Sequence, residues 1–509
     1  MELEAQNIKK TVDVLYRHLQ KVLHFSHESK NVDFYISALT EYNPFYSTDE
    51  IVRWLSSLNT RQYFTVEQIL LRSIQKWRFH PGTGDLEHES GGFFSIRGLK
   101  VKTNVGSIPR WSQPIICQPE IGLLGIIAKK INGILYFLLQ AKAEPGNINT
   151  YQLSPTVQAT RSNYTKLHGG KSTLYLEHFL GGRRGAVLID QLQSEQGARF
   201  LCKRNRNMII RLGDDEVITV QPYHRWLTLG QIQTLIQRDN IVNMDTRSVI
   251  SHINFAPERV TTFETINPTA LREALESSPI VTKLINEFAI SLAVSSHPSS
   301  PALHTTEEIL QKITQAKCNV TIERRLIPLS EVEGWIQTTD EIAHAGQKYF
   351  SIIGVRVYAL DREIPSWDQP IVKQRHPGIV AFIAKEINGV LHFLVQLKME
   401  GGLMDILEIA PTVQCIPENY NAHTLPRYTE KFLGRGKDAT IVDVYQSEEG
   451  GRFYQESNRN IVMVADQNFS DAEPPFFFWA SLQQLKELIK FNNLINVETR
   501  SLLSCLKMT

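Results

Sequence analysis

The sequence predicts an α+β protein built of two tandem mixed α/β domains related by internal duplication. Three observations predict it. First, motifs return at a nearly constant spacing: Trp111-Ser112-Gln113-Pro114-Ile115 comes back as Trp367-Asp368-Gln369-Pro370-Ile371, and Ser154-Pro155-Thr156-Val157-Gln158 as Ala410-Pro411-Thr412-Val413-Gln414, each 256 residues on. Gln193-Ser194-Glu195 and Thr246-Arg247-Ser248 return as Gln446-Ser447-Glu448 and Thr499-Arg500-Ser501, now 253 residues on, so one three-residue deletion separates the copies. Repeats of this length are whole domains, not solenoid units. Second, an Asn-Gly pair sits between apolar runs in each copy, a strong hairpin signal. Third, helical patterns flank β-rich centres, which is not the alternation of a βαβ sheet.

In chain order, helical periodicity covers much of 5 to 24 and 48 to 58. Thr65 to Leu70 carries a capping-box pattern before apolar residues and reads as the counterpart of Thr305 to Leu310, so each copy is expected to open with helix. Strands are expected at Leu123 to Ala128 and Ile134 to Gln140 around Asn132-Gly133, and at Ile379 to Ala384 and Val390 to Leu397 around Asn388-Gly389. Further strands follow at Ala186 to Leu192, Phe200 to Leu212, Ala439 to Tyr445 and Arg452 to Val464. Leu229 to Arg238 and Leu482 to Lys490 close the copies as helices. The domains divide at 1–255 and 256–509, and the Ser/Pro-rich stretch near 295–304 reads as an exposed loop.

Composition narrows the function class. Apolar residues at 42% and charged residues at 21% describe a folded protein, and a net charge of +1 leaves no global field toward nucleic acid or an anionic membrane. The longest apolar runs, Ile121 to Ile127 and Val390 to Leu397, fall far short of the roughly 20 residues a membrane span needs. Met1-Glu2-Leu3-Glu4 lacks a signal-peptide pattern, so a cytoplasmic protein is expected. Cys117, Cys202, Cys318, Cys415 and Cys505 are scattered without a CxxC pair, and read as buried or incidental thiols. Of the histidines, His168, His224, His376 and His392 included, none keeps metal-ligand spacing in both copies, so no metal is expected.

GxSxG, HExxH, P-loop and helix-opening GxGxxG signatures are missing. Three constellations remain. Gly181 to Gly185 and Gly434 to Lys437 are short basic loops that either hold a diphosphate or carry solvated charge. Trp111 and Trp367 open a W-x-Q-P-I motif where an indole either stacks on a base or sugar face or packs in a hinge, whereas Trp226 and Trp479 read as core. Gln193 to Phe200 and Gln446 to Phe453 are the densest polar matches, each after a strand; they either bind sugar hydroxyls and move protons or form a β-bulge.

Together the W-x-Q-P-I, P-T-V-Q, Q-S-E-x-G and T-R-S pairs resemble the NDP-hexose 2,3-dehydratases of bacterial deoxysugar pathways, over nearly the whole chain. The resemblance implies tandem Nudix-like domains, a homodimer, and action on dTDP-4-keto-6-deoxy-D-glucose with no cofactor. Leu153 to Val157 and Ile409 to Val413 stand where a Nudix hydrolase has its Gly-rich turn, and the metal-binding Nudix box is missing. In a 4-keto sugar the C3 hydrogen is acidic and the C2 hydroxyl lies β to the carbonyl, so elimination needs a base, a donor to the C4 oxyanion and an acid. The labile diketo product suits hand-over to a 3-ketoreductase.

The implied substrate contacts are Trp111, Arg161, Ser194, Glu195, Gln196, Gly197, Ala198, Thr228, Trp367, Tyr420, Gly434, Arg435, Ser447, Glu448, Glu449 and Gly450, with Glu449, Glu448, Glu195 and Tyr420 as catalytic candidates. Glu449 faces Gln196 between the copies, and Arg161 faces Pro417, so the two pockets are expected to have diverged. The competing expectation is a catalytically silent Nudix-like scaffold that binds nucleotide sugars.

Overall fold

The computed structural model describes residues 2–26, 29–61, 63–160, 173–181, 185–258, 267–360, 364–434 and 439–509, with backbone alone at 2–8 and 439. It is a mixed α and β protein, and among the described residues the strands form two seven-stranded and two five-stranded sheets. Each large sheet is built on the hairpin that Asn-Gly predicts. Asn132 and Gly133 have φ of 50° and 86°, and Asn388 and Gly389 have 53° and 78°, the left-handed pair a two-residue turn requires.

The large sheets share one strand order. In the first, Ala186–Ser194, Arg204–Arg211, Gly122–Ile131, Ile134–Ala143 and His224–Thr228 lie side by side; in the second, Ala439–Ser447, Ser457–Val464, Ile379–Ile387, Val390–Lys398 and Phe477–Ser481 do so. Among the described strand pairs, Arg204–Arg211 against Gly122–Ile131 and its counterpart Ser457–Val464 against Ile379–Ile387 run parallel, and the others antiparallel. The helices Asn31–Ala38 and Glu287–Ser296 pack on matching hairpin strands, with Ser37 Oγ donating to Leu135 O and Ser295 Oγ to Leu391 O.

The small sheets exchange a strand. Phe64–Ile69 pairs antiparallel with Phe350–Ala359, far along the chain, and Ile322–Ile327 pairs with Ser95–Thr103. This corrects the reading of Thr65 to Leu70 as helix. Its capping pattern is overridden because an open sheet edge offers the segment a full hydrogen-bond ladder. The helix that matches Thr306–Asn319 is Thr48–Thr60, and both carry a complete capping box, on Ser47 with Glu50 and on Thr305 with Glu308. Glycine makes the exchange fit. A Cβ on Gly98 would stand 2.8 Å from Ile327 O, and one on Gly354 3.1 Å from Ile69 O.

The Ser/Pro-rich stretch also differs from expectation at its start. Ser295 and Ser296 close the helix Glu287–Ser296 and are buried with His297, so the loop begins only there and its exposed residues include Pro298, Pro301 and Leu303. Serine continues a helix when its hydroxyl finds a backbone acceptor, as Ser295 does. Phe200–Leu212 and Arg452–Val464 become strands only from Arg204 and Ser457, after turns that start at the strand ends. Between the small sheets a shared apolar layer brings Phe200 and Phe453 edge to face at 5.7 Å. Among the described residues no helix is long and apolar enough to cross a membrane.

Candidate active site

Each W-x-Q motif lies on a strand, so residues i and i+2 share a face. Trp367 Nε1 donates to Gln369 Oε1 at 2.9 Å, and Gln369 Nε2 donates to Gly451 O at 2.9 Å; Trp111, Gln113 and Ala198 O repeat this geometry. The motif thus tethers the Q-S-E-x-G segment of its own copy. That segment then crosses to the other copy: Gly146 N donates to Gly450 O, and Gly402 N to Gly197 O, both at 2.7 Å. A Cβ on Gly146 would stand 1.6 Å from Phe453 O, so the crossing admits no side chain.

The crossing builds a cavity of about 860 Å³ from both halves of the chain. The first half contributes Lys142, Gln158 and Asn205 from strands of its large sheet, Glu144 and Lys203 from strand ends and Asp245 from the helix Met244–Ile250; the later half contributes Trp367, Glu449, Gly451 and Arg452; Trp77 and Phe94 add aromatic walls. Trp367 is backed edge to face by Phe64 of the exchanged strand at 6.2 Å. The Arg452 guanidinium stands 4.1 Å from the Phe94 ring centroid and donates to Gln118 Oε1 at 3.1 Å.

Several ionisable groups face this space. Burial pushes Glu449 up to about 7; Arg452 and Lys203 pull it down, while Glu195 and Glu144 push it up. Burial, together with Glu449 and Glu144, holds Asp245 well above the ordinary carboxylate range. Burial lowers Lys203, whose ammonium donates to Glu120 O. Glu144 Oε1 accepts from Lys142 Nζ and Gln158 Nε2 at 3.0 Å each, and its buried Oε2 has no partner among the described residues. The space therefore holds two carboxyls raised above their ordinary range and a cation lowered by burial, the components of general acid and base chemistry.

The place related to this cavity in the other half is chemically different. There Glu456 stands where the cavity has Lys203, Glu498 where it has Asp245, and Gln196 where it has Glu449. Glu400, the counterpart of Glu144, is tied through Oε2 to Ala198 N at 3.1 Å. Trp111 belongs to this side, within 3.5 Å of a Cβ built on Gly401.

The structure sorts the other expected contacts. Glu195 and Glu448 are buried behind the cavity wall, accepting from Asn205 Nδ2 at 2.7 Å and Asn458 Nδ2 at 2.6 Å, and Gln196 Nε2 donates to Glu448 Oε2 at 2.5 Å. Ser194 Oγ donates to Glu408 Oε2 at 2.6 Å and Ser447 Oγ to Gln152 Oε1 at 2.8 Å, so both serines spend their hydroxyls inside the protein. Gly197, Ala198 and Gly450 serve the crossing through their backbones. Thr228 is fully buried and caps the helix Leu229–Ile236, which removes it from the cavity. Tyr420 is 39% exposed and, like the exposed Gly434, is not part of the cavity wall. Arg161 and Arg435 lie outside the described residues, as do Tyr164, Arg183 and Arg184.

Sequence reading missed Lys142, Glu144, Gln158, Lys203, Asn205 and Asp245. Lys142, Glu144 and Gln158 have identical counterparts in Lys398, Glu400 and Gln414, a signal that was available. Lys203 and Asp245 differ between copies, so a search for kept motifs passes over them. Among the described residues no group of three His, Cys, Asp or Glu side chains is arranged to hold a metal ion.

A family profile described as NDP-hexose 2,3-dehydratase matches residues 48–253 and 306–506. Three relatives carry the name dTDP-4-dehydro-6-deoxy-alpha-D-glucopyranose 2,3-dehydratase. The protein from Saccharopolyspora spinosa is 41% identical over 476 residues, which span 93% of this chain and 94% of its own. That from Amycolatopsis orientalis is 37% identical over 479 residues, 92% of each chain. That from Streptomyces violaceoruber is 38% identical over 458 residues, 89% of this chain and 96% of its own.

Proposed function

The chain belongs to the NDP-hexose 2,3-dehydratase family and is a hydro-lyase, and on that premise we propose that the cavity beside Trp367 removes water across C2 and C3 of dTDP-4-keto-6-deoxy-D-glucose. The observation that carries this assignment is the meeting in one cavity of Glu449, pushed up to about 7, with Asp245, held well above the ordinary carboxylate range.

In this reading ionised Glu449 takes the C3 proton, and the electron pair delocalises onto the C4 oxygen. Lys203 donates to that oxyanion. The pair then returns to form the C2–C3 double bond as the C2–O bond breaks, and Asp245 gives its proton so that water departs. The enol left at C3 tautomerises to a 3,4-diketo-2,6-dideoxy sugar; the sum is loss of one water, with no change of overall oxidation state. Glu144 holds Lys142 and Gln158 toward the sugar, and Trp367 with Arg452 holds the nucleotide part.

Both halves are read as Nudix-like domains descended from one duplication, divided at 1–255 and 256–509, and the shared strand order and the two matched regions support that. A cytoplasmic homodimer that passes its product to a 3-ketoreductase completes the proposal.

The test is incubation of the purified protein with the 4-keto sugar nucleotide and a trapping ketoreductase. A 2-deoxy sugar nucleotide is the expected product. Binding of the substrate without any 2-deoxy product would leave the silent scaffold in its place.

A further inference from the structure

Thr246-Arg247-Ser248 and Thr499-Arg500-Ser501 are the motifs that no step above employs, yet both arginines are 0% exposed. Arg247 lies on the helix Met244–Ile250 and spreads its guanidinium over four oxygens: Nε donates to Ser501 Oγ at 3.0 Å, Nη1 to Val242 O at 2.6 Å and Gln446 Oε1 at 3.1 Å, and Nη2 to Ser447 O at 2.6 Å. Two residues before it, Asp245 lines the cavity; two residues after Ser447, so does Glu449. One planar cation therefore joins the helix that carries the acid to the strand end that carries the base.

The mirror arginine grips less. Arg500 reaches Ser248 Oγ at 3.0 Å, Ile495 O at 2.7 Å and Ser194 O at 2.6 Å. It takes no hydrogen bond to Gln193, whose buried Oε1 has no partner among the described residues and whose Nε2 donates to Ile489 O at 2.7 Å and lies 3.0 Å from His252 Nε2. The extra contact falls on the side that bears Glu449.

We infer that Arg247 is a positioning residue for proton transfer, setting the separation of Asp245 and Glu449 across the two halves, while Arg500 serves stability alone. The inference rests on the assignment of those two carboxyls. A lysine in place of Arg247 keeps the charge but cannot span four acceptors in one plane. Small displacements of reacting groups cost up to about 10²-fold in rate, so the loss appears in kcat.

The experiment compares Arg247→Lys with Arg500→Lys, measuring kcat, KM and the pH profile of C3 hydrogen exchange in D₂O with the 4-keto sugar nucleotide. The groups that face Glu449 are Arg452 on its own segment, Lys203 and Glu195 from the first half's strand end, Glu144 after the hairpin, and Asp245. Their charges are unchanged in both variants. Arg247→Lys is expected to lower kcat roughly 10- to 100-fold with little change in KM, and to move the acid limb of the exchange profile to lower pH as water reaches Glu449. Arg500→Lys is expected to leave that limb in place. Equal losses of kcat with unmoved limbs in both variants overturn the inference. If Arg247→Lys shows no cooperative thermal transition, Ser501→Ala removes one acceptor of the fork without touching a charge; a shift of the limb in the same direction supports the clamp and an unmoved limb overturns it. Glu449→Gln runs beside them: wild-type exchange in that variant defeats the underlying assignment, whereas lost exchange with normal kcat in Arg247→Lys defeats the clamp alone.

Discussion

Gln369 donates its side-chain amide to the carbonyl of Gly451 at 2.9 Å, and this bond ties the tryptophan motif to the segment that carries Glu449. Because Trp111 lies on the other side, the two tryptophans are expected to have unequal duties despite the shared W-x-Q-P-I pattern.

Trp367→Ala therefore weakens substrate binding by roughly 5- to 150-fold, the range that follows from about 1 to 3 kcal/mol per lost aromatic stacking surface. Trp111→Ala changes KM much less. Titration of both variants with the nucleotide product checks this, and equal losses would remove Trp367 from the binding wall.

Glu449→Gln removes the proposed base while keeping its shape, and lowers kcat by about 10²- to 10⁴-fold with product affinity retained. Glu195→Gln has a smaller effect, since Glu195 sits behind the wall on Asn205. Burial raises Glu449 to about 7, so wild-type turnover falls as pH drops below that value, where the base is protonated. A rate profile flat from pH 6 to 8 in the wild type would contradict the assignment.

Glu408 is 1% exposed, bound through one oxygen to Ser194 and without a partner among the described residues through the other, and burial pushes it up to about 8. A carboxyl whose folded pKa lies above its unfolded one contributes stability at low pH that is lost as pH rises through the folded value. Glu408→Gln, which cannot ionise, therefore gains thermal stability relative to wild type above pH 8 and not at pH 5. Melting curves at the two pH values test the sign.

Gly146→Ala places a Cβ 1.6 Å from Phe453 O, and the crossing of the halves must open to admit it. The expected cost is about 1 to 3 kcal/mol or more, together with loss of turnover. Gly434→Ala, with nothing within 4 Å of the added Cβ, leaves the melting temperature unchanged. Equal melting temperatures for the two variants would show that the crossing is not rigid.

Much of the architecture was legible in the chain. Asn132-Gly133 and Asn388-Gly389 announced their hairpins because residues that tolerate positive φ are needed at those turns, a local requirement. The doubled motifs located both strand-end segments, and the mismatch of Glu449 with Gln196 singled out a carboxyl that the cavity does contain. Thr228 was misjudged because a kept threonine reads alike as a ligand contact or as a helix cap until its neighbours are known.

The sequence alone determined the repeated motifs, the hairpin turns beside them and the pattern that marks the family, since each is set by residues close together in the chain. Only the tertiary structure decided that Phe64–Ile69 completes a sheet of the later half, that Lys203 and Asp245 meet Glu449 in one cavity, and that Arg247 clasps Ser447. Those pairings join segments about two hundred residues or more apart, and the burial of apolar faces and the completion of open sheet edges choose them, not any local preference that a single stretch of sequence records.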